Sequence, residues 1–188
     1  CEKPLATTLE DGEAMIAACR EASVPLMTAF PCRFSPVAMR LKATVDEGKI
    51  GRVVAIKGTN RGRNPGSWFN DPSLAGGGAV MDHTVHVADL IRWITGAEAA
   101  SVYAEIDNSI NHAGFDDCGT LMIRYDNGLF ATLDPSWSRP KVFPTWGDVT
   151  LDIIGETGSV YGDLFAQHFT ITSDETSDIT QGFWGDDI

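Results

Sequence analysis

Residues 76–96 read Gly76-Gly77-Gly78-Ala79-Val80-Met81-Asp82-His83-Thr84-Val85-His86-Val87-Ala88-Asp89-Leu90-Ile91-Arg92-Trp93-Ile94-Thr95-Gly96. Three glycines run into a periodic segment that closes on a further glycine. At about 100° per residue, positions four, seven and eleven beyond Asp82 return to within roughly 40° of it, so Asp82, His86, Asp89 and Trp93 share one helical stripe. Val80, Val87, Ile91 and Ile94, with Leu90 beside them, form an apolar face that must bury against a sheet or another helix. Gly96 after Thr95 is the expected C-cap. The run of Gly76, Gly77 and Gly78 suits either close approach of a ligand to the backbone or a flexible lead-in.

A carboxylate and an imidazole four residues apart on a helix lie about 5–6 Å apart at Cβ. Both can reach one substrate hydroxyl, or the acid can orient the imidazole. His86 is therefore a candidate general base, with Asp82 as the partner that raises its pKa and stabilises the imidazolium. A solvated Asp/His pair on a helix surface is the plain alternative.

The combination Gly76-Gly77-Gly78, Asp82, His86, Asp89, Trp93 and Gly96 resembles the second signature of the glucose-fructose oxidoreductase and inositol dehydrogenase (Gfo/Idh/MocA) family. The first signature of that family is a Glu-Lys-Pro tripeptide, matched by Glu2-Lys3-Pro4. Arg33-Phe34 followed by Pro36, and a helix ending at Gly48-Lys49-Ile50-Gly51, also resemble its interdomain segment. The resemblance implies an NAD(P)-dependent dehydrogenase acting on sugars, inositols or related polyols. It further implies an N-terminal Rossmann domain for the dinucleotide, and a C-terminal α+β domain that supplies the substrate pocket and the oligomer interface. It makes Lys3, Asp82 and His86 the catalytic positions and places Glu2, Lys3 and Pro4 beside the cofactor, with Pro4 fixing the backbone that aims Lys3. Two departures stand out: Thr84 where the family often has a small residue, and His83, an extra imidazole beside the pair.

The rest of the chain fits part of such an enzyme. No Gly-x-Gly-x-x-Gly follows a strand in its 188 residues, so a pyrophosphate lacks its usual finger, and the chain reads as a piece of a longer dehydrogenase truncated at both ends. Thr8 and Asp11 resemble a capping box for a helix over residues 8–22, with Leu9, Met15, Ile16, Cys19 and Ala22 apolar. Residues 24–30 then read as the last strand of a Rossmann sheet. The expected division is a Rossmann remnant over residues 1–30 and an α+β domain over 31–188. Residues 8–30, lacking the rest of their sheet, should leave apolar surface exposed, remodelled or paired with another copy.

Beyond Pro31 the pattern predicts a helix over residues 36–47 and a strand over 52–58. Further strands are expected near residues 100–107, 119–125, 128–134, 149–154, 158–162 and 168–172, with Asp126-Asn127-Gly128 as a hairpin turn. The expected fold is an open-faced, mainly antiparallel α+β sheet with helices on one face. Its other face needs a cover. Trp137, Phe143 and Trp146 suggest an interface there, in a homo-dimer or homo-tetramer, against the alternative of internal packing.

The substrate pocket is expected from the helix stripe and the loop that follows the first strand. Arg33, Arg61, Arg63 and His83 are the candidate substrate contacts, with Asn70 nearby, and Trp68 is a candidate to close over the nicotinamide. With 14 Lys and Arg against 26 Asp and Glu, the net charge of −12 argues against nucleic acid or an anionic membrane as partner. No basic residue follows Lys141, and residues 173–188 read as a solvated acidic tail. Cys1, Cys19, Cys32 and Cys118 form no Cys-x-x-Cys pair, which suits reduced thiols in the cytoplasm. Asp82, His83, His86 and Asp89 split between two helix faces, so no metal is expected. A non-catalytic ligand-sensing relative and a metal-dependent sugar isomerase or lyase remain open as alternatives.

Overall fold

Strict alternation builds the centre of the sheet. Leu121, Ile123 and Tyr125 point inward from β3 (Cys118–Tyr125), and Ala131 and Leu133 do so from β4 (Phe130–Asp134), while Met122 and Phe130 face outward. Gly128, at φ 87°, turns the chain between them as the Asp-Asn-Gly signal predicts. In this computed structural model, residues 1–112, 114–166, 168–174 and 178–183 are described, the last six by backbone alone.

The remaining strands are β1 (Val53–Thr59), β2 (Ala99–Asp107), β5 (Thr150–Gly155), β6 (Gly158–Asp163), β7 (His168–Ser173) and β8 (Asp178–Phe183). They form one sheet of eight, in the order β2-β3-β4-β1-β5-β6-β7-β8. Every neighbouring pair is antiparallel except β1 and β4, which run parallel with Ile56 beside Ala131. β8 corrects the expected solvated tail, because residues 178–183 extend the sheet from β7. Net charge had hidden the strand-forming run Ile179-Thr180-Gln181-Gly182-Phe183. Residues 175–177 and 184–188 of that expected tail lie outside the described residues.

Two helices cover one face. α1 (Leu9–Glu21) stands apart, while α2 (Pro36–Asp46) packs on β6, and α4 (Ala79–Thr95), reached through the single turn α3 (Pro72–Ala75), packs on β1, β3 and β4. Val37 and Leu41 of α2, and Val87, Leu90, Ile91 and Ile94 of α4, are buried against Ile56, Leu133, Leu151, Ile153 and Val160. Each such side chain contributes about 1.5–3 kcal/mol by leaving water. α4 lies so close to the sheet that a Cβ on Gly58 would stand 2.6 Å from Val87 Cγ1. That closeness fixes the height of α4 over β1.

The other face is open. Register aligns Tyr103, Met122, Thr132, Lys57, Asp152, Tyr161 and Thr170 across it. Trp137 does not belong there: it is 2% exposed and packs edge-on against Phe115 and His83, which corrects its expected place at an interface. Trp146 remains half exposed, and Phe143 lies against the Arg139 guanidinium at 4.1 Å.

α1 starts at Thr8, whose Oγ1 accepts from Asp11 N at 3.2 Å, but buries only Gly12. Residues 24–30, expected as a strand, are not one here: they lie outside the eight-stranded sheet and are tied to the chain start by Cys1 N to Met27 O and Ala29 N to Cys1 O, both 2.8 Å, because the neighbours a strand would pair with are not among the described residues. Leu9, Ile16, Val24 and Met27 stay exposed. Among the described residues no helix is long and apolar enough to cross a membrane.

Candidate active site

Asp116 closes the N-terminus of α4. Its carboxylate accepts from Gly78 N at 3.0 Å and Val80 N at 2.7 Å, and its carbonyl accepts from Ala79 N at 3.0 Å. These bonds satisfy backbone donors that a helix start leaves open, and the negative charge faces the positive end of the helix dipole. A Cβ on Gly78 would lie 1.8 Å from the Asp116 carbonyl oxygen, and one on Gly76 would lie 2.7 Å from the Thr7 side chain. The glycine run therefore admits protein, not a ligand. At the far end Gly96, at φ 69°, caps the helix and donates to Arg92 O at 2.8 Å.

With its start anchored, α4 carries Asp82 to Lys3, 79 residues away in sequence. The Lys3 ammonium donates to Asp82 Oδ1 in a very short contact and to the Asp82 carbonyl at 3.1 Å. Both side chains are largely buried, at 17% and 11% exposed, so the ion pair is poorly screened by water. The Lys3–Pro4 peptide is cis. Asp82 Oδ2 accepts from Trp137 Nε1 at 3.3 Å.

His83 Nε2 lies 3.3 Å from the same Oδ2, and its Nδ1 donates to Pro135 O at 3.0 Å, since a carbonyl can only accept. Burial pushes His83 below its ordinary pKa, against the pull of Asp82. At 5% exposed and with both nitrogens facing protein, it is a wall of the site and not the open substrate contact expected from sequence.

His86 follows one turn later. Sequence spacing pairs it with Asp82, but that carboxylate turns to stronger donors, the ammonium and the indole N–H. His86 Nδ1 instead meets Cys32 Sγ at 3.8 Å. Burial, with the charge of Lys3 next, pushes His86 down to about 4, and the attraction of Asp82 and Asp89 does not restore it. This reverses the expected upward shift. Burial likewise raises the Cys32 thiol to about 11, so the neighbour of His86 is a neutral thiol.

Asp89, a turn further on, takes Arg33 in a two-point pair, with Nε to Oδ2 at 2.7 Å and a shorter Nη2 contact to Oδ1. The Arg33 guanidinium also faces the rings of Phe30 and Trp93 at 5.8 and 5.9 Å. This tie fastens residues 31–34 to α4.

Arg61 and Arg63 are drawn elsewhere. Arg61 reaches Asp148 at 3.2 Å, and Thr59 Oγ1 and Arg139 bond the same carboxylate. Burial opposes ionisation of Asp148, yet the bonds from Arg139, Thr59 and Arg61 outweigh it and hold the carboxyl below its usual range. Arg63 donates to the carbonyls of Phe143 and Thr145, fixing residues 143–147. Trp68 is half exposed and stacks on Phe69 at 4.0 Å between centroids, and Asn70 follows in the same short 3₁₀ turn. Glu2 lines an open cleft of about 570 Å³ with Met27, Phe30, Arg33 and Phe34. Trp137 and Asp116 are site residues that sequence reasoning missed. Each reaches α4 from a loop, before β3 or after β4, and neither carries a local spacing signal.

An α+β domain, with two helices on one face of a mixed eight-stranded sheet and a buried Lys/Asp pair near the start of one of them, is the class this structure defines. The profile of the GFO/IDH/MocA C-terminal domain matches residues 38–161, and the chain belongs to that family. It is 31% identical over 182 residues to the myo-inositol 2-dehydrogenase of Thermotoga maritima, covering 95% of this chain and 53% of that protein. It is 32% identical over 178 residues to the scyllo-inositol 2-dehydrogenase (NAD(+)) of Bacillus subtilis, covering 92% and 50% respectively. A solved levoglucosan dehydrogenase in complex with NADH and levoglucosan matches with a TM-score of 0.86 at 27% identity, over 98% of this chain and 54% of that one. The chain thus spans about half the length of the curated relatives it matches.

Proposed function

We propose that this chain is the substrate-side part of an NAD(P)-dependent dehydrogenase that moves a hydride between a carbinol of a sugar, inositol or related polyol and a nicotinamide. The observation that carries the reading is the buried Lys3–Asp82 pair, drawn together from 79 residues apart with His86 one turn away. The inositol and levoglucosan dehydrogenases it resembles support the polyol class. Residues 1–30 are then the end of a Rossmann domain, whose missing strands would cover Leu9, Ile16, Val24 and Met27, and residues 31–188 are the α+β domain. The open sheet face, with Tyr103, Met122, Phe130 and Tyr161 outward, is the proposed surface of a homo-dimer or homo-tetramer.

The described residues fit the nicotinamide end of a dinucleotide. The glycines at 76–78 are filled by Asp116 and Thr7 and cradle no pyrophosphate, whereas the cleft at Glu2, the residue before Lys3, is walled mainly by apolar side chains. Glu2, Lys3, Pro4 and Trp68 would hold that end. When bound, a nicotinamide accepts the carbinol hydride as a bonding pair. His86 takes the hydroxyl proton at Nε2, the nitrogen turned away from Cys32, as the alcohol becomes a ketone. Lys3 donates to the same oxygen, and Asp82 anchors the Lys3 Nζ so that it stays aimed. Arg33 borders the polyol, while Arg61, Arg63 and His83 hold the walls behind it.

The test is to express the intact protein and follow nicotinamide reduction with NAD or NADP across a panel of inositols and anhydrosugars. Reduction with one of them supports the reading, and none with any member sinks it.

The pH profile is a second check. Protonation of His86 removes the base, so kcat/KM should rise with pH through an acid limb near 4 and not near the ordinary imidazole value of 6.5. Stability carries the same sign. Between 6.5 and about 4 the unfolded imidazole binds the proton and the folded one does not, so acidification through that window withdraws stability. An acid limb at 6.5 would show that burial does not control His86.

A further inference from the structure

We infer that Trp137 is a positioning residue for the Lys3–Asp82 pair, its indole N–H locking one carboxylate oxygen so that the other stays on the ammonium. The inference rests on the dehydrogenase reading for its kinetics, but its geometry stands apart from it. Asp82 has two oxygens and three polar neighbours. Lys3 holds Oδ1, while Oδ2 faces Trp137 Nε1 and His83 Nε2, each at 3.3 Å. The indole N–H can only donate, whereas His83, with its Nδ1 proton on Pro135 O, reaches Oδ2 as a donor only as the imidazolium, which burial disfavours.

Trp137 is itself held on several sides. Its backbone N donates to Asp117 O at 2.8 Å, and its ring meets Phe115 edge-on at 5.8 Å and His83 at 6.3 Å between centroids. It is 2% exposed, so water does not compete for the indole bond. A carboxylate fixed at one oxygen cannot swing about its Cβ–Cγ bond toward His86 one turn away. Without the indole, Asp82 is free to leave Lys3, and the ammonium loses its aim at the reacting oxygen.

Trp137→Phe keeps the apolar ring and deletes the donor. In the intact enzyme it should lower kcat about tenfold with KM changed by less than about twofold, as for a lost hydrogen bond to a charged group. In an Asp82→Asn background the same substitution should cost nothing further, because its effect passes through the carboxylate. Equal losses in both backgrounds, or a loss of thermal stability with kcat unchanged, would overturn the inference.

A second readout needs no turnover. In 15N–1H spectra of this chain the Trp137 indole N–H should resonate downfield and exchange slowly, and Asp82→Asn should move it upfield while the other indoles hold still. An unmoved Trp137 signal would overturn the inference. A wild-type enzyme without dehydrogenase activity but with that indole shift would sink the functional reading alone.

Discussion

Replacing His86 with alanine should reduce the proposed dehydrogenase turnover of the intact protein by roughly 10²–10⁴, the range for loss of a positioned general base. The His86 imidazole is uncharged at neutral pH and can take a hydroxyl proton at Nε2 without first losing one, whereas His83, the neighbouring imidazole, is 5% exposed with both nitrogens against protein. KM should change little, because the proton moves only in the transition state. Fold stability should stay near wild type or rise in mild acid, since the variant no longer has a buried imidazole to charge. Turnover equal to wild type would remove the general-base assignment.

The largest structural effect should come from a single methyl group. Gly78→Ala places a Cβ 1.8 Å from the Asp116 carbonyl oxygen, a backbone atom that cannot rotate away. Asp116 must then withdraw, and its bonds to Gly78, Ala79 and Val80 go with it. Overpacking of about 1–3 kcal/mol adds to a lost cap of about 1 kcal/mol, so the denaturation midpoint should fall steeply. Asp82 lies one turn from this cap, so the Lys3 contact should loosen as well. A midpoint within experimental scatter of wild type would mean that the helix start tolerates another path.

How far the sequence reveals this molecule depends on whether a feature is local. α4 is legible because its apolar face repeats with helical period and its end is marked by Gly96. The β3–β4 hairpin is legible from alternation and from Asp126-Asn127-Gly128. The Lys3, Asp82 and His86 positions were reachable through the two family signatures, although spacing alone could not say which groups touch. The partner of Asp82 differs from the one spacing suggests, because helical proximity favours His86, whereas burial favours an ammonium from the chain start and an indole from the loop after β4.

Burial itself is invisible in a list of residues. That is why the direction of the His86 shift came out reversed and Trp137 was placed at an interface. Arg61 and Arg63 looked like ligand donors for the same reason. Asp148 and the carbonyls at Phe143 and Thr145 claim them only after the sheet has formed. The strand Asp178–Phe183 was obscured by the acidic residues around it, because net charge outweighed a short run of strand formers.

The most direct measurement follows a deuterium placed on the carbinol carbon of a polyol substrate through a single turnover of the intact enzyme, in wild type and in Asp82→Asn. Transfer of the label to the nicotinamide ring in wild type, slowed at least tenfold when Asp82 can no longer anchor Lys3, is the expected result. Label retained on the polyol carbon, or transferred equally fast without the Asp82 carboxylate, would contradict the assignment of this buried pair to hydride chemistry.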